Sequence, residues 1–99
     1  MDKRIKHVDS AADSRTRDKL YQDLAIGAIG VGQAVRVMRQ LSHMTQPEFA
    51  AHRGISVQSL KQIERGIGNP TVQTLNKIAE IFGLRVGFVA AAPRKPRFN

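Results

Sequence analysis

Between Thr45 and Gly83 the chain carries three helix starts and three helix stops in quick succession. Thr45 opens "TQPEFAAHRG", Ser56 opens "SVQSLKQIERG" and Thr71 opens "TVQTLNKIAEIFG". A Ser or Thr side chain caps the free N–H groups of a helix's first turn, and a glycine just past the end stops it. Segments of two to three turns are marginal alone, so their stability has to come from burying apolar faces against one another.

The first start is the most explicit. Glu48 stands three residues after Thr45, which makes a capping box, and Pro47 sits in the first turn, where its missing N–H costs nothing. Thr45 is therefore expected to accept from the N–H of Glu48, with Phe49 and Ala50 facing the core. In the second segment Leu60 and Ile63 form the apolar side. In the third, Val72, Leu75, Ile78, Ala79 and Phe82 share a face. Upstream, "GQAVRVMRQL" puts Ala34, Val35, Met38 and Leu41 on one face, with Arg36, Arg39 and Gln40 elsewhere. Four short helices thus follow one another with tight connections.

The flanks are simpler. "SRTRDKLYQDLA" spaces Leu20 and Leu24 one turn apart, a modest helix signal, and the glycines of "IGAIGVG" should end it. Those glycines lack the spacing and the lysine of a phosphate loop. "LRVGFV" alternates and is rich in β-branched and aromatic residues, so it reads as a strand. The expected organisation is an N-terminal extension with a short helix over 1–30, a helical domain over 31–84, a strand over 85–89 and a basic, disordered tail over 90–99.

Composition selects partners. A 99-residue chain has room for one small domain, and its net charge of +8 favours an anionic partner: nucleic acid, an anionic membrane or an acidic protein. With no cysteine there is no disulfide framework and no thiolate zinc site, which fits a cytoplasmic location. The apolar stretches are too short for a bilayer, and "MDKRIKHVDS" lacks the apolar run of a signal peptide. His7, His43 and His52 show no metal-ligand spacing, and no catalytic ordering stands out. No metal, cofactor or enzymatic activity is expected.

In order and spacing, "VRVMR", "TQPEFA", "GIS", "SLKQIERG", "NPT" and "TLNKIAEIFGL" resemble the Cro/repressor-type (XRE) helix-turn-helix domain over about residues 31–84. The resemblance implies an all-α, lambda-repressor-like bundle of four to five short helices. The 46–53 helix would cross the DNA backbone and the 57–65 helix would enter the major groove. The residue types fit that implication. Gln58 and Gln62, four apart, share a face suited to base edges, while Lys61 and Arg65 form a second stripe suited to phosphates. On a lone helix the same residues would merely solvate a surface.

Val57 has two readings: continuation of the apolar face, or contact with a thymine methyl. By the family pattern Gln46 binds a phosphate. Ser56 and Ser59 serve caps first and phosphate second. Asn69 either approaches the backbone or only shapes its turn. Arg39 and Glu64 are matched by the family as a structural ion pair, the alternative being Arg39 on phosphate alone.

A strand over 85–89, with Val86 and Phe88, has no second strand within the chain to pair with. The economical partner is the same strand of a second subunit, as in the HipB-like antitoxins. The resulting expectation is a homodimeric repressor on double-stranded DNA with a palindromic operator, the antitoxin of a toxin–antitoxin operon with a cognate toxin as further partner. The alternatives are a phage, plasmid or restriction-modification regulator, or a protein-interaction module that uses the basic face on an acidic partner.

Overall fold

A computed structural model of the chain describes residues 9–91. The element order is α1 (Ser10–Ile26), α2 (Val31–Leu41), α3 (Gln46–Arg53), α4 (Val57–Glu64), α5 (Val72–Ala79) and a 3-10 turn (Glu80–Phe82). His7, the basic N-terminal stretch and the tail with Pro93 and Pro96 lie outside the described residues.

The caps are as the residue types dictate. Thr45 accepts from the Glu48 N–H at 3.2 Å while the Glu48 carboxylate accepts from the Thr45 N–H at 2.8 Å, so the capping box is closed on both sides. Ser56 accepts from the Ser59 N–H and Thr71 from the Thr74 N–H, each at 3.0 Å. Gly54, past the end of α3, has φ +70°, where a Cβ would strain the backbone.

The apolar faces meet in one core. Phe49, Leu60 and Ile78 are completely buried, and Ala34, Val35, Met38, Leu41, Ala50 and Ile63 complete the packing from α2, α3 and α4. Leu20 joins them from α1, so the first helix is part of the same core. That helix is longer than its leucine spacing suggests. Asp9 caps it, accepting from the Ala12 N–H at 3.0 Å, which starts the helix at Ser10.

Three expectations are corrected. The last α-helix stops at Ala79 and tightens into the 3-10 turn before Gly83. Val72, on the expected core face, is exposed at the first helical position. The strand over 85–89 is absent: residues 84–91 run without regular secondary structure. A strand needs a ladder partner, and no strand exists among the described residues. The Val86 N–H donates instead to Asn76 Oδ1 at 2.7 Å.

One close approach fixes how α2 crosses α4. A Cβ added at Gly32 would overlap the Ile63 carbonyl oxygen and lie 3.2 Å from that of Glu64. Both obstacles are backbone and cannot swing aside. Gly32→Ala should therefore destabilise the fold by about 1–3 kcal/mol, as overpacking does. Gly87→Ala, with open space around it, should stay within about 0.5 kcal/mol of wild type. Denaturant melts of the two variants check the pair; equal midpoints would mean that α2 and α4 separate freely.

Candidate nucleic-acid interface

The apolar period of α4 decides what it shows to solvent. Leu60, Ile63 and Glu64 are buried, whereas Gln58 and Lys61 are exposed on the other side of the helix. Arg65 is also exposed, as the residue that ends the helix; its N–H closes the last turn onto the Lys61 carbonyl at 3.1 Å. The turn that follows leaves Asn69 exposed.

The two glutamines are not equivalent. Gln62 is half-buried and folds toward the turn after α4, where its Oε1 lies 3.0 Å from the position a Gly68 Cβ would take. It lines a groove of about 180 Å³ together with Ser59, Asn69 and Thr74. Val57 is half-buried at the first position of α4 and packs against the core. Ser56 and Ser59 are joined Oγ to Oγ at 3.0 Å, in addition to the backbone cap.

Gln46 is drawn into a cluster around Glu64, whose side chain is only 1 % exposed. Arg39 donates to it in a fork, Nε to Oε2 at 2.7 Å and Nη2 to Oε1 at 3.0 Å, and also donates to the Met44 carbonyl at 3.1 Å. The Gln46 amide Nε2 donates to the same Oε1 at 3.1 Å. Arg36 Nε lies 3.7 Å from Oε1. Burial pushes the Glu64 carboxyl up, but the hydrogen bonds from Arg39 and Gln46, with the charges of Arg39 and Arg36, outweigh it and hold the group below its ordinary value. Arg39 is shifted upward in turn, chiefly by its hydrogen bond to Glu64. No buried side-chain polar atom among the described residues lacks a partner.

Three ties escaped the sequence reading. Arg53 Nε donates to the Lys77 carbonyl at 2.8 Å and Nη2 to Glu80 at 2.7 Å, pinning the end of α3 to the end of α5. His43 Nε2 lies 2.8 Å from Asp13 Oδ2, and Tyr21 donates to the Phe82 carbonyl at 2.7 Å. Arg53 stands in the last turn of α3, where a cation is expected on its own helix's free carbonyls, but it reaches the end of α5 instead. The other two join residues 30 and 61 apart and leave no local trace.

A capped α3, a tight turn at Gly54 and an α4 with an exposed polar face define a helix-turn-helix protein. The helix-turn-helix family HTH_3 matches residues 35–89, more than half of the chain, and the chain belongs to that family. It is similar to y4dJ of Sinorhizobium fredii, an uncharacterised HTH-type transcriptional regulator, at 41 % identity over 54 residues. That stretch is 54 % of this chain and 70 % of the relative. No solved structure matches the chain at a significant level. No helix among the described residues is long and apolar enough to cross a membrane.

The Glu64 cluster sets a pH dependence. A carboxyl whose folded pKa is depressed contributes stability above its unfolded pKa, near 4.3, and loses it as pH falls through the lower folded value. Wild-type stability should decline on that acid limb. Glu64→Gln should start lower at neutral pH by about 3 kcal/mol, because a buried pair has lost one partner, and should show a shallower acid limb. Urea melts across acid and neutral pH would test this; identical acid limbs would remove Glu64 as their source.

Proposed function

We propose that the chain is a sequence-specific, double-stranded-DNA-binding transcriptional repressor that acts as a homodimer. The observation that carries the reading is the division of α4: Gln58 and Lys61 stand outward, followed by Arg65, while Leu60, Ile63 and Glu64 are locked inward. Such a helix presents hydrogen-bonding amides and cations from a rigid base, which is what a major-groove reader requires. Family membership and the regulator name of the y4dJ relative support the same reading. Gln58 and Gln62, with the edge of Val57, are the proposed base contacts. Gln46, Ser56, Ser59, Lys61, Arg65 and Asn69 are the proposed backbone contacts. The net charge of +8 supports a partner as anionic as DNA.

The dimer is supported by apolar surface that a single chain leaves bare. The exposed Phe88 and Val89 help line an apolar groove of about 520 Å³ together with Leu24, Ile29, Val31 and Val86. The 84–91 segment lies outside any regular element, with only its Leu84 and Val86 N–H groups bonded among the described residues, and a second copy pairing with it across a two-fold axis would give two half-sites about one helical turn apart. The likeness to HipB-like antitoxins rests on a strand that the single chain does not form. We therefore propose a dimeric regulator without assigning a toxin.

Two measurements test these readings. Against a panel of single-base variants of a duplex enriched from random sequence, Gln58→Ala and Gln62→Ala should each cost on the order of 1–3 kcal/mol per half-site and relax one position. Lys61→Ala and Arg65→Ala should weaken all sequences alike and flatten the salt dependence by roughly one unit each. Uniform losses from the glutamine variants would reduce α4 to a solvated face.

For the dimer, Phe88→Pro should give monomers by light scattering with helical circular dichroism unchanged. Proline removes a ladder donor and stiffens the segment. A dimer that survives at low micromolar concentration would put the interface elsewhere.

A further inference from the structure

The charges around Glu64 do not cancel. One buried carboxylate faces two arginines. Arg39 is spent on it: forked, only 18 % exposed, with a third donor on the Met44 carbonyl. Arg36, one turn earlier on α2, is 51 % exposed, and its Nε stands 3.7 Å from Glu64 Oε1, too far for a hydrogen bond. The guanidinium is thus attracted toward the cluster without donating to it, and it has no hydrogen-bond partner among the described residues. The oxygen it approaches is the one that accepts from Gln46 Nε2 at 3.1 Å. Arg36 and Gln46 therefore approach the same oxygen, and the surplus positive charge is that of the half-exposed Arg36 guanidinium.

We propose that Arg36 is a DNA-backbone contact, its guanidinium and the Gln46 amide together holding one phosphate while Glu64 acts as the positioning residue for both. This rests on the DNA-binding reading above and adds a contact from α2, outside the helix-turn-helix pair. The chemistry matches. A phosphodiester oxygen only accepts, and both groups facing it donate. The second hydrogen of Gln46 Nε2 is directed by the first, which Glu64 holds. A guanidinium fork suits a phosphate better than a point charge does. The charge of Glu64 does not oppose the phosphate, because the forked Arg39 guanidinium already neutralises it.

The experiment compares the full-length wild type, Arg36→Gln and Arg36→Lys on a short random-sequence duplex and on a duplex enriched by the wild type. Binding is read by fluorescence anisotropy across a salt series, with thermal melting to verify that each variant is folded. Arg36→Gln should weaken both duplexes roughly fivefold per subunit near 150 mM salt and lower the slope of log affinity against log salt by about one per subunit. Arg36→Lys keeps the charge and should keep the wild-type slope while losing part of the affinity with the fork. A wild-type slope in Arg36→Gln, whatever its affinity, would overturn the proposal, because a residue that only buttresses Glu64 changes affinity without releasing fewer counterions. If the wild type itself bound neither duplex in a salt-dependent way, the DNA-binding reading would fail first, and visibly so before any variant is compared.

Discussion

The fold is organised around one buried negative charge. Glu64 ends α4, and the groups that satisfy it come from α2, through Arg39 and Arg36, and from the first residue of α3, through Gln46. Three helices are therefore referenced to the same carboxylate. Burying an ion pair costs desolvation that its attraction only roughly repays, so the cluster adds little net stability for its size. Its effect is geometric. Apolar packing is tolerant of small rotations, whereas a forked guanidinium and an amide on one carboxylate are not. The angle at which α4 leaves α3 is held by directional bonds on one side and by Leu60 and Ile63 on the other.

This constraint explains how so small a chain presents a defined surface. An eight-residue helix has no intrinsic persistence in water. Here its start is capped by Ser56, its apolar stripe is buried and its last helical residue is bonded to two other helices. Gln58 and Lys61 extend from a platform whose backbone cannot easily tilt. The close passage of Gly32 over the Ile63 carbonyl adds a steric limit on the same side.

Much of this was legible in the sequence because it is local. Caps at Thr45, Ser56 and Thr71 act over three residues, and the apolar stripes repeat within one or two turns, so a single window holds both the cause and the effect. The outward stance of Gln58 and Lys61 follows from the same period. The half-burial of Gln62 did not, because it depends on where the backbone at Gly68 folds back. Nor did the three partners of Glu64: the family pattern names Arg39 and Glu64, but Arg36 and Gln46 join through tertiary geometry. The 85–89 segment shows the opposite limit. Its alternation expresses a propensity for extended backbone, and propensity alone cannot supply the neighbour that a ladder needs.

The first helix also separates two boundaries that usually coincide. The family match begins at residue 35, yet Leu20 fills the shared core, and α1 is tied by Asp13 to His43 and by Tyr21 to the Phe82 carbonyl. One tie reaches the loop before α3; the other reaches the turn after α5. The stretch that carries the family's signature is thus shorter than the stretch that closes the hydrophobic interior. Moved alone onto another scaffold, residues 35–89 would keep their caps and the outward Gln58 and Lys61 but carry an open socket where Leu20 belongs. In this chain the inheritable motif and the stretch that fills the core are different lengths of polypeptide.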